Sequence, residues 1–217
     1  MYQINAQHLQ QAFADESLET ADGLIRFERH KIDDLAVLSG RIAACDPLVM
    51  DDSVAFETVF PCGVFPVEVA IAHVNGDQRI AFARLLFSQK PIVRWSMALL
   101  SDEDTSTLEQ GEFFGYGVDA GTGCFMDINA ARRYERLLDH DESYADKIIH
   151  GMDRTYQHTR SWLSFRPDET EFENIVCFST GYGDGSYPTS IAYDADNQPV
   201  MLVTDFFVIP EASEAAA

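Results

Sequence analysis

Four carboxylates could build a site if the chain brings them together: Asp119 and Asp184, each in a glycine-rich stretch, with Asp205 and Glu68. Brought together, they would surround a hard cation, magnesium or calcium, and such an ion activates water for hydrolysis. Left without a cation they would repel one another, and at least one would hold its proton more tightly. Cys124 shares a stretch with Asp119 and lies just ahead of an expected helix N-terminus, where a thiolate is favoured. A cysteine nucleophile also needs a base, and His73, His140 and His150 lie in no recognisable context for one. Tyr182 and Tyr187 flank Asp184 and offer apolar faces with polar tips, either to a ligand or as lids over the loop. The structural alternative is simpler. Asp119 and Asp184 then hydrogen-bond their own loop amides, and Asp127 caps a helix.

Two glycine-rich stretches hold these residues, Gly115–Asp127 and Gly181–Pro188. The first contains four glycines, two aspartates and one cysteine, a composition that predicts a loop rather than a helix or strand. Glycine is expected where φ must be positive or where another backbone comes close. The two loops are expected to meet, with Asp119 near Asp184. Gly115-x-Gly117-x-x-Ala120 fits a dinucleotide fingerprint only superficially, because Asp119 would aim a carboxylate at the phosphates. Asp194-x-Asp196-x-Gln198 begins like a calcium loop, but Pro199 occupies the position that needs glycine.

The elements that must position these residues follow from periodicity and punctuation. A short helix is expected over residues 5–14, capped by Asn5, then an acidic connector over Asp15–Asp22. Strands are expected over Gly23–Ile32 and, after a break at Asp33–Asp34, over Leu35–Cys45, ending at Asp46-Pro47. Val67–Val74 and Arg79–Ser88 form a hairpin across Asn75-Gly76, a pair that tolerates two positive φ values. Ile92–Leu99 reads as a strand and Ser101–Gln110 as a solvated loop or short helix. Helices are expected over Ile128–His140, with Ala131, Leu137 and Leu138 inward, and over Tyr144–Thr159. A surface connector starts at Arg166. Asn174–Ser179 reads as a buried strand, and Ser190–Tyr193 with Pro199–Ile209 as a second hairpin. Strands outnumber helices and tight turns join neighbours. The expected fold is α+β, a single domain with a mostly antiparallel sheet and two or three helices, ending in a frayed tail after Pro210.

Composition narrows the function classes. The formal charge is −21, with only three lysines, Lys31, Lys90 and Lys147. Such a surface repels nucleic acid and anionic lipid and draws basic partners in quickly. The acidic segments Asp51-Asp52, Ser101–Gln110 (Asp102, Glu103, Asp104) and Asp168–Glu173 (Asp168, Glu169, Glu171) are the expected contact surface. No apolar run approaches the ~18 residues of a membrane span, and the N-terminal residues lack a secretory pattern, so a cytoplasmic protein is expected. Cys45, Cys62, Cys124 and Cys177 form no Cys-x-x-Cys pair. They read as free, mostly buried thiols, with Cys124 and Cys177 poorly accessible.

The order of motifs resembles that of the bacterial family known as domain of unknown function 4241. The matching pieces are Ser39-Gly-Arg-Ile with Cys45-Asp-Pro, Phe65-Pro-Val-Glu-Val-Ala-Ile, Arg79-Ile-Ala-Phe-Ala-Arg and Val93-Arg-Trp95. Tyr116–Asp127, Gly183-Asp-Gly-Ser-Tyr-Pro188 and Val203-Thr-Asp-Phe206 complete the set. The resemblance implies a soluble single-domain protein and brings no activity or catalytic residues with it. The residues themselves favour a binding protein over an enzyme: an inhibitor or immunity-type protein for a basic target such as a toxin domain, with no cofactor. The alternative is a metal-assisted hydrolase using magnesium or calcium at the two glycine loops.

Overall fold

The computed structural model describes residues 1–21, 23–50, 54–141 and 143–210. In chain order the elements are α1 (Ala6–Phe13), β1 (Ser17–Thr20), β2 (Gly23–Val37), β3 (Ile42–Cys45), β4 (Gly63–Val74), β5 (Asp77–Leu86), β6 (Arg94–Met97), β7 (Gly115–Val118), β8 (Thr122–Asp127), α2 (Ile128–His140), α3 (Ser143–Asp153), β9 (Trp162–Phe165), β10 (Ile175–Ser179), β11 (Gly185–Tyr193) and β12 (Pro199–Asp205). The strands form two sheets. The larger runs β1-β2-β4-β5-β12-β11-β6, with β7 also on β11, and the smaller runs β3-β8-β10-β9. Each strand pair is antiparallel, so the fold is the expected α+β type.

Side-chain alternation stacks these parts into layers. On β8 and β10, Phe125, Val176 and Phe178 join the core of the larger sheet, with Ile71, Leu85 and Phe206. Their neighbours Cys124, Met126, Ile175 and Cys177 turn the other way and pack with Tyr134 of α2 and Ile148 and Met152 of α3. The small sheet is therefore a middle layer, apolar on both faces. Helix α1 covers the larger sheet through Leu9, Ala12 and Phe13, and the Arg84 guanidinium lies 3.8 Å over the Phe13 ring. Asn5 caps α1, accepting from the amides of Gln7 and His8.

Several elements depart from what periodicity predicts, each for a local reason. Residues 15–21 are not only a connector, because β1 pairs there with β2 and buries Leu18, and Asp22 lies outside the described residues. Asp33 and Asp34 do not break the strand. They mark a bulge, where the β2–β4 register shifts between Lys31 and Asp33. The first glycine stretch is mostly strand, β7 and β8, joined by a turn at residues 119–121. Helix α3 stops at Asp153, short of the expected Thr159, and His158 and Thr159, with φ values of 51° and 75°, lie in the turn that reverses the chain into β9. Periodicity overlooked β9. On α2 the fully buried residues include Ala131 and Tyr134, whereas Leu137 and Leu138 are half-buried. Asp51, Asp52 and the tail beyond Pro210 lie outside the described residues.

Asp127 caps α2, as its position predicts, but its role is wider. Its Oδ1 accepts from Asn129 N at 2.8 Å, and its Oδ2 accepts from Leu38 N at 2.8 Å and Ser39 N at 2.7 Å. The Ser39 hydroxyl lies 2.8 Å from Oδ2 as well. One buried carboxylate thus joins the end of β2 to the start of α2. Asp127→Ala strands several buried donors at once and should lower the unfolding free energy by at least ~3 kcal/mol. Asp127→Asn keeps one acceptor oxygen and should cost less. Urea titrations of the two variants check the order.

Candidate functional site

The two glycine stretches meet through a strand ladder. Val118 pairs with Gly185 and Gly115 with Pro188, so Asp119 and Asp184 are the next residues past one end of it. Gly121 O accepts from Thr180 N at 3.1 Å, which ties the turn to the second stretch. Glycine is needed where backbones approach. A Cβ on Gly115 would fall 2.5 Å from Tyr187 O, and one on Gly123 would fall 2.7 Å from the Tyr116 hydroxyl.

The turn at residues 119–121 is not held by its own carboxylate. Asp119 and Asp184 are exposed, and neither side chain takes a hydrogen bond among the described residues. The acceptor is Asp46, only 2 % exposed, whose Oδ2 receives Asp119 N at 3.0 Å and Ala120 N at 2.7 Å. Its Oδ1 receives Leu48 N at 2.9 Å, a local turn of the kind aspartate favours before proline. The Asp46-Pro47 pair signals that local turn in the sequence. Its long-range partners carry no sequence signal.

The remaining candidate residues are engaged elsewhere. Glu68 pairs with Arg84 at 2.6 Å, both side chains 12 % exposed, on the face covered by α1. Asp205 accepts from Phe207 N at 2.8 Å and from the Tyr2 hydroxyl at 2.7 Å. Tyr187 is buried. Its hydroxyl donates to Gly183 O at 2.7 Å, its ring meets Phe206 edge-on, and burial raises its pKa. It is a packing lid over the second stretch, whereas Tyr182 is exposed beside Arg79. Among the described residues, no group of three or more His, Cys, Asp or Glu side chains is placed to hold a metal ion.

Cys124 sits in the middle of a row. Cys45 and Cys177 are its partners on β3 and β10, and all three face the helices. Cys45 Sγ lies 3.7 Å from Cys124 Sγ. Burial pushes the Cys124 thiol well above the ordinary range, the reverse of the lowering expected from a nearby helix N-terminus. Burial does the same to Cys177 and to Tyr134, whose hydroxyl is buried with no hydrogen-bond partner among the described residues. Cys62, in the loop ahead of β4, is the exposed member of the four, while Cys124 and Cys177 are buried as expected and Cys45 is half-buried.

A cavity of about 250 Å³ opens between the end of β3 and β7, lined by Cys45, Asp46, Phe56, Leu100, Glu103 and Tyr116 among others. Among the described residues, no histidine lines it. A wider groove of about 1050 Å³ runs along α3, with Lys147, His150, Arg154 and Arg166 facing Asp33, Asp34, Asp168 and Glu169.

The acidic segments divide into carboxylates that organise backbone and carboxylates that do not. Asp104 caps the 3-10 turn Thr105–Thr107 through Ser106 N, and Glu103 accepts from Leu100 N. Asp168 accepts from Thr170, while Glu171 and Glu173 pair with Arg133. Asp102 and Glu169 are exposed and make no such contact among the described residues. Also among those residues, no helix is long and apolar enough to cross a membrane.

In comparisons with known proteins, the family model described as "Protein of unknown function (DUF4241)" matches residues 35–204. No curated protein and no solved structure matches the chain.

Two outcomes follow from this geometry. Asp46→Ala leaves three amides without their acceptor and should cost ~2–4 kcal/mol, whereas Asp119→Ala should change stability by less than ~0.5 kcal/mol. Thermal melts of the pair read this directly. The second concerns alkaline pH. Cys124 and Cys177 stay protonated in the fold above the ~8.5 at which unfolded thiols ionise. The unfolded state then binds fewer protons, so stability is full below about pH 8.5 and falls above it, by up to ~1.4 kcal/mol per pH unit for each thiol. Urea unfolding at stepped pH, repeated on Cys177→Ala, should show the shallower slope in the variant.

Proposed function

The chain belongs to the DUF4241 family, and we propose that it is an acidic binding protein whose partner is a basic protein. One surface carries the proposal. Residues 95–131 contain no Lys, Arg or His, and Asp102, Glu103, Asp104, Glu109 and Glu112 fall within them. The segment leads into an aromatic trio. Ring centroids are 5.9 Å apart for Tyr2–Phe113, 5.7 Å for Tyr2–Phe207 and 5.4 Å for Phe113–Phe207. Phe207 is 36 % exposed and has a φ of 53°, a conformation that bulky residues seldom adopt. The Asp205 carboxylate holds its amide there.

Aromatic faces accept guanidinium groups, and surrounding carboxylates steer them in. A lysine- and arginine-rich protein surface fits this combination. The partner class in this proposal is a basic toxin domain, which the chain would neutralise as an immunity-type inhibitor. Metal-assisted hydrolysis draws less support, because it needs converging carboxylates, and Glu68 and Asp205 are committed to Arg84, Tyr2 and Phe207.

Association kinetics with basic proteins encoded beside this chain test the proposal. Association should slow steeply as salt rises, since exposed charges are screened beyond ~8–10 Å near physiological ionic strength. Combining Asp102→Asn, Glu109→Gln and Glu112→Gln should slow association by up to about tenfold at low salt, with little change in melting temperature. Phe207→Ala should mainly speed dissociation. Association indifferent to both salt and these substitutions would reject the proposal.

A further inference from the structure

Cys45 and Cys124 occupy directly opposed positions on β3 and β8, with their sulfurs 3.7 Å apart. Opposed residues of an antiparallel pair have Cα atoms ~4.5–5.5 Å apart, inside the ~4.4–6.8 Å that a disulfide spans. The two strands need not slide for the sulfurs to bond. The pair is also asymmetric in access. Cys45 is half-buried and lines the cavity of about 250 Å³, while Cys124 lies behind it, fully buried. Cys177 opposes Cys124 from β10 and is itself fully buried, so no thiol on that side meets solvent. Cys62 is exposed, but in a different loop.

We propose that Cys45 and Cys124 are an oxidisable dithiol, with hydroperoxides as the oxidant class, Cys45 reacting first and Cys124 resolving. In the first step the Cys45 thiolate attacks one peroxide oxygen. The O–O bond breaks, an S–O bond forms, and the other oxygen leaves as water or an alcohol after taking a proton. In the second step the Cys124 sulfur attacks the Cys45 sulfur. The S–O bond breaks, the S–S bond forms, and the departing oxygen leaves as water with the Cys124 proton. Two thiols lose two electrons and one peroxide gains them. The cavity admits a molecule of that size, and no residue stands between the two sulfurs at 3.7 Å. Burial favours the thiol form of Cys124, which slows its attack relative to that of an exposed thiol, while the 3.7 Å separation favours it. The bond would join β3 to β8 one residue from Asp46, the side chain that holds the turn after β7.

The test treats the full chain with hydrogen peroxide and maps its peptides without reduction. The expected result is loss of both thiols and a Cys45–Cys124 peptide in the monomer, unchanged in Cys62→Ser and absent in Cys45→Ser. In Cys124→Ala the Cys45 sulfenic acid should persist and react with a cyclic 1,3-dione. The mapping of the unsubstituted chain decides alone if that variant does not fold. Oxidation confined to Cys62, a Cys124–Cys177 bridge, or both thiols free after exposure would each overturn the proposal.

Discussion

Strand β8 is buried along its whole length, from Thr122 to Asp127. Sheet neighbours flank it on both sides, the larger sheet covers one face and two helices cover the other. A strand in that position has no water to complete its hydrogen bonds, so the polar groups at its ends must find partners within the protein. Two aspartates provide them. At the N-terminal end Asp46 takes the amides of Asp119 and Ala120, and at the C-terminal end Asp127 takes those of Leu38, Ser39 and Asn129. The larger sheet, the small sheet and α2 are registered to one another through these two side chains. Both side chains accept backbone amides rather than pairing with a charged side chain, so their partners are fixed by the course of the chain itself.

The features legible in the sequence were local ones. Asn75-Gly76 marks its hairpin because positive φ at both residues is a property of those two side chains alone, and the turn shows φ values of 50° and 86°. Asp127 marks the start of α2 because capping needs only the next two residues. The glycine stretch was misread for the same reason. Its composition argues against a strand when side chains are judged one at a time. Gly115 and Gly123 are strand positions that require glycine because Tyr187 O and the Tyr116 hydroxyl lie 2.5 and 2.7 Å from where a Cβ would stand, and nothing near them in sequence announces that. The convergence of the two stretches was legible, but its chemistry was not. Asp119 and Asp184 end up adjacent along the ladder, yet the acceptor that matters there is Asp46, 73 residues before Asp119 in the chain.

The acidic composition hides a division of labour. A carboxylate that accepts backbone amides repays part of the self-repulsion that a charge of −21 imposes on a compact chain. Asp104, Asp168 and Asp194 do this at turns, and their pKa values fall accordingly. Backbone and hydroxyl hydrogen bonds lower the first two, and Lys90 leads for Asp194. These contributions are present at neutral pH and are lost as pH falls through the lowered values. Asp102, Asp119, Glu169 and Asp184 give the fold no such return. Charges that a fold keeps exposed without structural use are the ones left over for long-range attraction.

Glu103 shows how closely the two proposals lie in space and why they are separable. It stands in the acidic segment and also lines the cavity that exposes Cys45, yet its carboxylate is turned to Leu100 N at 2.7 Å. The segment's exposed charge rests on Asp102, Asp104, Glu109 and Glu112, while the cavity wall combines the Cys45 thiol and aromatic and aliphatic groups with Asp46 and Glu103. A basic partner attracted to the segment meets backbone already fixed by Glu103 and Asp104, so docking need not reorder it. Within residues 102–112 the carboxylates thus split between holding backbone amides, as Glu103, Asp104 and Glu112 do, and meeting solvent without such a contact, as Asp102 does among the described residues.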